Sequence, residues 1–494
     1  MMKFHFYALN KLKYLFLFLL LCSTYIAFSQ TDKKYTPTEL HADLQAFRDN
    51  MEKIHPALYL YFPKDSLDHT FEKIEKELTE PLTDIEFYRR LTPLLKYIAN
   101  GHTDIIPSKS HLDKLANTLP RFPFDTFLSG DTLFVYRNVS EDLDIEPGII
   151  INKINGEKPM FLVNYFATQI SRDGFNTSGP TYYASRAFKS YYALLLGTPE
   201  FYDIEFQHKN GKIFEKKIKA VPMPKIREFR NERYPNIPKS FWETNEPALT
   251  LSIDQDVATM TLRTFDKKTI RKRGERHKKF FKKSFAEIND KNIQHLVIDL
   301  RGNGGGDPEP TAVLFSHLFN RPFDFYKDMG LLVNRIPNAN LYEGGAKLLN
   351  LFAWARVKKR PGGYVAKSMK RYNKNKPAKN IFKNEVYVLT DPHLFFTTGE
   401  MTGIIKNFGL ATFIGEEPGG NPVTNTSGIM LPLILPNTKT KVVLPIVQFV
   451  MAVDMENTGH GVIPDFEVKN TIWDQINGKD SVMEFTRELI KTKK

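Results

Sequence analysis

The stretch Val297-Ile-Asp-Leu-Arg-Gly-Asn-Gly-Gly-Gly306 is an apolar run that passes straight into glycines. The apolar half, Leu296 to Leu300, has the length and composition of a buried strand. The glycines allow a sharp turn and present backbone N–H groups with no side chain in the way. Such a loop suits a phosphate or an oxyanion. Asp307 stands where G-x-G-x-x-G needs its last glycine, and the Lys-Ser/Thr of a P-loop is missing, which disfavours a nucleotide.

Outward from this loop, Leu249–Ile253 and Ala258–Leu262 read as strands, and a charged helix is expected around Ile270–Ile288. Helices and strands then alternate to about residue 468, the pattern of an α/β layered domain over 248–469 with a C-terminal helix over 470–494. The Pro- and Arg-rich segment 223–247 reads as a linker. Before it, 116–222 has β-like runs at 131–136, 148–154, 201–206 and 213–218, with turn signals at Asn155-Gly156 and Asn210-Gly211. Residues 30–115 are an N-terminal helical region. Leu40, Leu44, Phe47, Met51 and Ile54 recur at helical steps, and Thr83 with Glu86 has the form of a capping box.

At 494 residues, more than one domain is expected. Residues 1–29 read as a secretory signal: Lys3, Lys11 and Lys13, then the apolar run Tyr14–Leu21, then Ala27-Phe28-Ser29 as the cleavage site. A lipid anchor at Cys22 is the alternative; Leu21 before it is large for that use. Cys22 is the only cysteine, so cleavage leaves a chain without disulfides, suited to a periplasmic or extracellular setting. The net charge of +13 is concentrated in Lys267–Lys283 and Arg356–Lys383. A solvated face is the ordinary reading of such runs, and contact with an anionic surface the alternative. Export argues against a nucleic-acid partner.

Four further pieces stand in order along the chain. They are Asn100-Gly-His-Thr103; Glu385-Val-Tyr-Val-Leu-Thr390 followed by Phe396-Thr-Thr-Gly-Glu400; Phe413-Ile-Gly-Glu-Glu-Pro-Gly-Gly420 with Asn425-Thr-Ser-Gly428; and Gly459-His-Gly-Val-Ile-Pro-Asp465. With the glycine loop they resemble the C-terminal-processing (tail-specific) serine peptidases, in their tricorn-core-like branch, from about residue 36 to 468. The segment Glu146–Gly156 is similar to the family's PDZ-like module, with Ile149 in place of its Asp. The resemblance implies a crotonase-like layered ββα core and a PDZ-like β-domain.

It also implies acyl-enzyme hydrolysis of polypeptides, which needs a nucleophile, a base, a group orienting the base and oxyanion donors. Aligned on Glu400, the nucleophile falls at Thr397, where the family has serine. His102 matches the base and Glu456 the orienting carboxylate, with Asp454 less favoured. Thr398 N–H and a glycine of Gly304–Gly305 would form the oxyanion hole. The lysine of the Ser-Lys branch is missing, since Pro418-Gly-Gly420 occupies its segment. The β-methyl of Thr397 restricts its rotamer, so a pseudopeptidase that binds peptides without cutting them is the alternative. Asp299 and Arg301 read as buttresses of the loop, and His393 as a solvated turn residue. The histidines show no metal-ligand spacing, so neither metal nor cofactor is expected. The substrate is a polypeptide; oligomeric state is not legible.

Overall fold

The computed structural model describes residues 32–237 and 241–493; the expected signal segment and Cys22 lie outside them. The strand predicted before the glycines is His295–Asp299, buried along its whole length. It is the third strand of a six-stranded sheet ordered Leu249–Asp254, Val257–Leu262, His295–Asp299, Glu385–Thr390, Thr412–Gly415, Phe466–Glu467. The first two strands form an antiparallel hairpin and the remaining neighbours run parallel. Both faces of the sheet are covered, which explains the unbroken apolar run. Leu296, Ile298, Val386 and Val388 point into the main core. Val297, Tyr387, Leu389 and Ile414 point the other way, onto Val482 and Ile490 of the C-terminal helix Ser481–Thr492. A second, antiparallel sheet carries Tyr326–Leu331 and Gln448–Met451. The core is therefore the layered α/β arrangement expected.

The N-terminal region is helical, over Pro37–Ile54, Lys64–Glu77, Asp84–Leu91 and Leu94–Ile98, and the Thr83–Glu86 capping box is formed. It does not stand apart. Strand Asp104–Ile106 pairs with Lys441–Val443 of the α/β domain. Residues 124–219 form a five-stranded antiparallel meander, with the four runs read from sequence plus Phe124–Ser129.

Three elements differ from expectation. The β-domain also holds helices Pro159–Thr168, Ser178–Arg186 and Phe188–Leu195. The sequence reading assigned no element to that stretch; Leu162, Val163, Phe166, Phe188 and Leu195 bury these helices in the main core. The segment read as a linker opens with the helix Met223–Arg233, which buries Ile226 and Phe229 against Val139 and Val221. Its Arg230 meets Asp125, and its Arg233 meets the Asn138 and Ser140 carbonyls. The charged helix near 270–288 is two, Lys267–Lys272 and His277–Asp290, separated by Gly274 at φ +80°.

Candidate active site

Strands His295–Asp299 and Glu385–Thr390 are parallel neighbours, so the loops leaving their carboxyl ends lie side by side. In open α/β sheets that is where ligands bind. The first loop is the glycine loop. Phe265 N–H donates to the Gly305 carbonyl at 2.9 Å and Gly302 N–H to Asp391 Oδ2 at 2.9 Å. Arg301 clamps the loop's base, bonding Asp299 and, by 2.6 and 2.7 Å contacts, Asp480 near the C-terminus. Asp299 and Arg301 are thus structural buttresses.

The second loop turns into helix Thr397–Asn407 through Phe396, at φ +53° and ψ −135°. For a bulky residue that conformation costs on the order of 1–3 kcal/mol. It sets Thr397 and Thr398 at the helix N-terminus, against the glycines. A side chain on Gly305 would run into Phe396 and approach the Phe395 carbonyl at 2.8 Å, so the close approach requires glycine there. Thr397 is 2% exposed, and its hydroxyl donates to the Gly306 carbonyl at 2.8 Å.

His102 arrives from the other end of the chain, carried by strand Asp104–Ile106. Asn100 Oδ1 accepts from His102 N–H (3.1 Å), Thr103 Oγ1 (3.2 Å) and Thr426 Oγ1 (2.9 Å) and fixes the turn. The imidazole packs against both Phe395 (centroids 5.1 Å apart) and Phe396 (4.3 Å). His102 thus packs on Phe396, the residue before Thr397, yet neither ring nitrogen of His102 has a hydrogen-bond partner. Burial, with His55 nearby, pushes the imidazole down to about 3, so it is neutral.

Glu456 stands elsewhere. It is exposed, as is Asp454, and neither carboxylate meets the His102 ring. A residue three positions from Gly459 had only its place in the motif order to recommend it. Of the expected oxyanion donors, the Gly305 N–H is taken by Asn303 Oδ1 at 2.8 Å and the Thr398 N–H reaches the Phe395 carbonyl at 3.1 Å. Gly304 faces His393, whose Nε2 would lie 3.6 Å from a Cβ there.

His393 is accordingly no solvated turn residue. Its Nδ1 is 3.1 Å from the Tyr183 hydroxyl, supplied by the β-domain helix, and burial lowers its affinity for a proton. Asn303 also escaped the sequence reading. It is fully buried, and its Oδ1 accepts both Gly305 N–H and Thr398 Oγ1 (3.0 Å) while its Nδ2 donates to the Leu262 carbonyl (2.9 Å). Its only signal was a polar residue among glycines. Glu400 is buried in the first turn of the same helix, accepting from Asn425 (2.8 Å) and Tyr326 (2.9 Å). Burial raises it to about 7 despite those donors.

Among the described residues no cluster of His, Cys, Asp and Glu could hold a metal ion. Residues 256–468 match peptidase family S41. No curated protein matches the chain. Its fold is similar to the crystal structure of mature CPAF, with a TM-score of 0.58 at 14% identity over 92% of this chain and 97% of that one. Mature CPAF complexed with lactacystin has the same TM-score and identity, over 92% and 98%.

Proposed function

We propose that the chain, whose residues 256–468 match peptidase family S41, hydrolyses exported polypeptides by acyl transfer to Thr397. The observation that carries this reading is the strained turn at Phe396, which presents a hydroxyl at a helix N-terminus directly against a glycine loop. Strain of that kind persists where the surroundings over-determine it, and acyl-transfer sites carry their nucleophile on strained strand-to-helix turns.

Rotation about χ1 releases Thr397 from the Gly306 carbonyl. His102, neutral and with both nitrogens free of protein partners, is the base available to take the proton. The positive end of helix Thr397–Asn407 and the Gly304 N–H favour the oxyanion. The β-domain would hold the substrate in the manner of a PDZ-like module, and export would place the work in a periplasmic or extracellular space.

A second reading has its own observation. The nucleophile is parked on a carbonyl and the base lacks an orienting carboxylate, which is the condition of a pseudopeptidase that binds peptides without cutting them. Hydrolysis of unfolded peptides separates the two. The peptidase reading expects slow cleavage by the wild type, lost in His102→Ala and raised at least about tenfold in Thr397→Ser, which removes the rotamer restriction. Peptide binding with no cleavage by either wild type or Thr397→Ser would establish the second reading instead.

A further inference from the structure

Between Glu343 and Glu385 the chain carries twelve lysines and arginines and no acid. Near the start of this stretch lie two short helices, Ala346–Leu351 and Ala353–Arg356, which run directly into strand Val357–Arg360. Ala346 and Ala353 are buried, and Leu349 packs on the main core, so one side of the pair is already satisfied. Leu348, Leu351 and Phe352 follow i, i+3, i+4 spacing on the other side and are 57%, 66% and 44% exposed. The outward stripe of a surface helix ordinarily carries polar residues. Here it is apolar, and exposed Lys347, Arg356, Lys358 and Lys359 lie along the chain beside it.

We propose that this face seats the protein on an anionic lipid bilayer, with Leu348, Leu351 and Phe352 entering the interface and the lysines and arginines meeting the headgroups. Val357–Arg360 is an edge strand, and lysines on an edge discourage pairing with other chains. That accounts for Lys358 and Lys359 but leaves the apolar stripe unexplained. An acidic protein would use the cations and leave the leucines in water. A second copy of the chain would bring one set of cations against another. Only a surface with anionic headgroups above an apolar interior satisfies both halves of the face. The inference is independent of whether Thr397 cleaves peptides.

The test is cosedimentation of the chain starting at Gln30, which contains every described residue and lacks the apolar Tyr14–Leu21 run. Vesicles of phosphatidylglycerol with phosphatidylcholine are compared with vesicles of phosphatidylcholine alone. Binding to the anionic vesicles, weakened by salt and at least about tenfold stronger than to the zwitterionic ones, is expected. Leu348→Glu/Leu351→Glu and Lys358→Glu/Lys359→Glu, all at exposed positions, should each lower the partition coefficient by about tenfold or more. Absence of binding to anionic vesicles at low ionic strength overturns the proposal without touching the peptidase reading. So does binding indifferent to both double variants. Self-association abolished by Leu348→Glu/Leu351→Glu, with no vesicle binding, would assign the face to a second copy. Binding of polyglutamate that survives Leu348→Glu/Leu351→Glu, again with no vesicle binding, would assign it to an acidic polypeptide.

Discussion

A histidine buried with both nitrogens unpaired carries a penalty of about 1–3 kcal/mol, and His102 sits in that condition against Phe395 and Phe396. Replacing it with an apolar ring should therefore stabilise the fold while removing the proposed base. His102→Phe is expected to gain about 1 kcal/mol near neutral pH in urea unfolding, with any hydrolysis lost. The gap should widen in acid. The folded imidazole is depressed to about 3 against an ordinary 6.5, so only the unfolded chain takes up the proton as pH falls through 6.5. Stability is thus fully present above about 6.5 and is lost on the way down; at pH 5 the variant escapes a further loss of about 2 kcal/mol. Equal acid sensitivity in variant and wild type would mean that the ring is not held neutral. Thr397 and His102 were both named from the sequence, through the resemblance of their motifs to those of a peptidase family. That the hydroxyl bonds a carbonyl and the imidazole bonds nothing was not legible, since both depend on atoms supplied by distant segments.

Helix Thr397–Asn407 begins at the Phe396–Glu400 motif, but nothing in the motif tells how the helix is anchored. Glu400 is buried under Tyr326, Asn425 and Ser427, and its carboxyl is raised from the ordinary 4.5 to about 7. The sign follows from the raised value. The neutral acid is the form the fold prefers, so its contribution is present below about 4.5 and is lost as pH rises through about 7, at about 1.4 kcal/mol per unit. Glu400→Gln should flatten the fall in stability between about pH 5 and pH 8, and unfolding midpoints at the two values check it. Across from it, Gly305→Ala should cost more than 1 kcal/mol, because φ is +97° and a Cβ would run into Phe396; thermal melting measures the loss. The segment misread as a linker has a local cause. Pro222 and Pro224 open the helix Met223–Arg233. Proline punctuates a linker and a helix start alike, and only the burial of Ile226 and Phe229 distinguishes them.

At the scale of the molecule, the candidate site is a junction of three regions. Asp173, from the β-domain, is fully buried and accepts Gly101 N–H at 2.8 Å and Asn421 N–H at 3.3 Å, tying the His102 turn to the α/β domain. Tyr61 of the helical region reaches Asn421 (3.0 Å) and Asn457 (3.2 Å). Asp173→Ala strands two buried N–H groups and should cost about 2 kcal/mol or more. Faster amide exchange at Gly101 and Asn421, with the meander unchanged, is the expected signature. What the sequence by itself determined is what local chemistry encodes: the buried strand before the glycines, the glycine loop, the helical character of the N-terminus and four of the five meander strands. Periodicity, turn residues and the order of motifs are all carried within short windows. Only the tertiary structure decided that His102 stands against two phenylalanines, that Asn303 and Asp173 organise the junction, that Tyr183 supports His393, and that Glu456 stays in solvent. Those are contacts between residues far apart in the chain, settled by strand pairing such as Asp104–Ile106 against Lys441–Val443, and a hydrogen bond across such a distance leaves no periodic trace in the residues that make it.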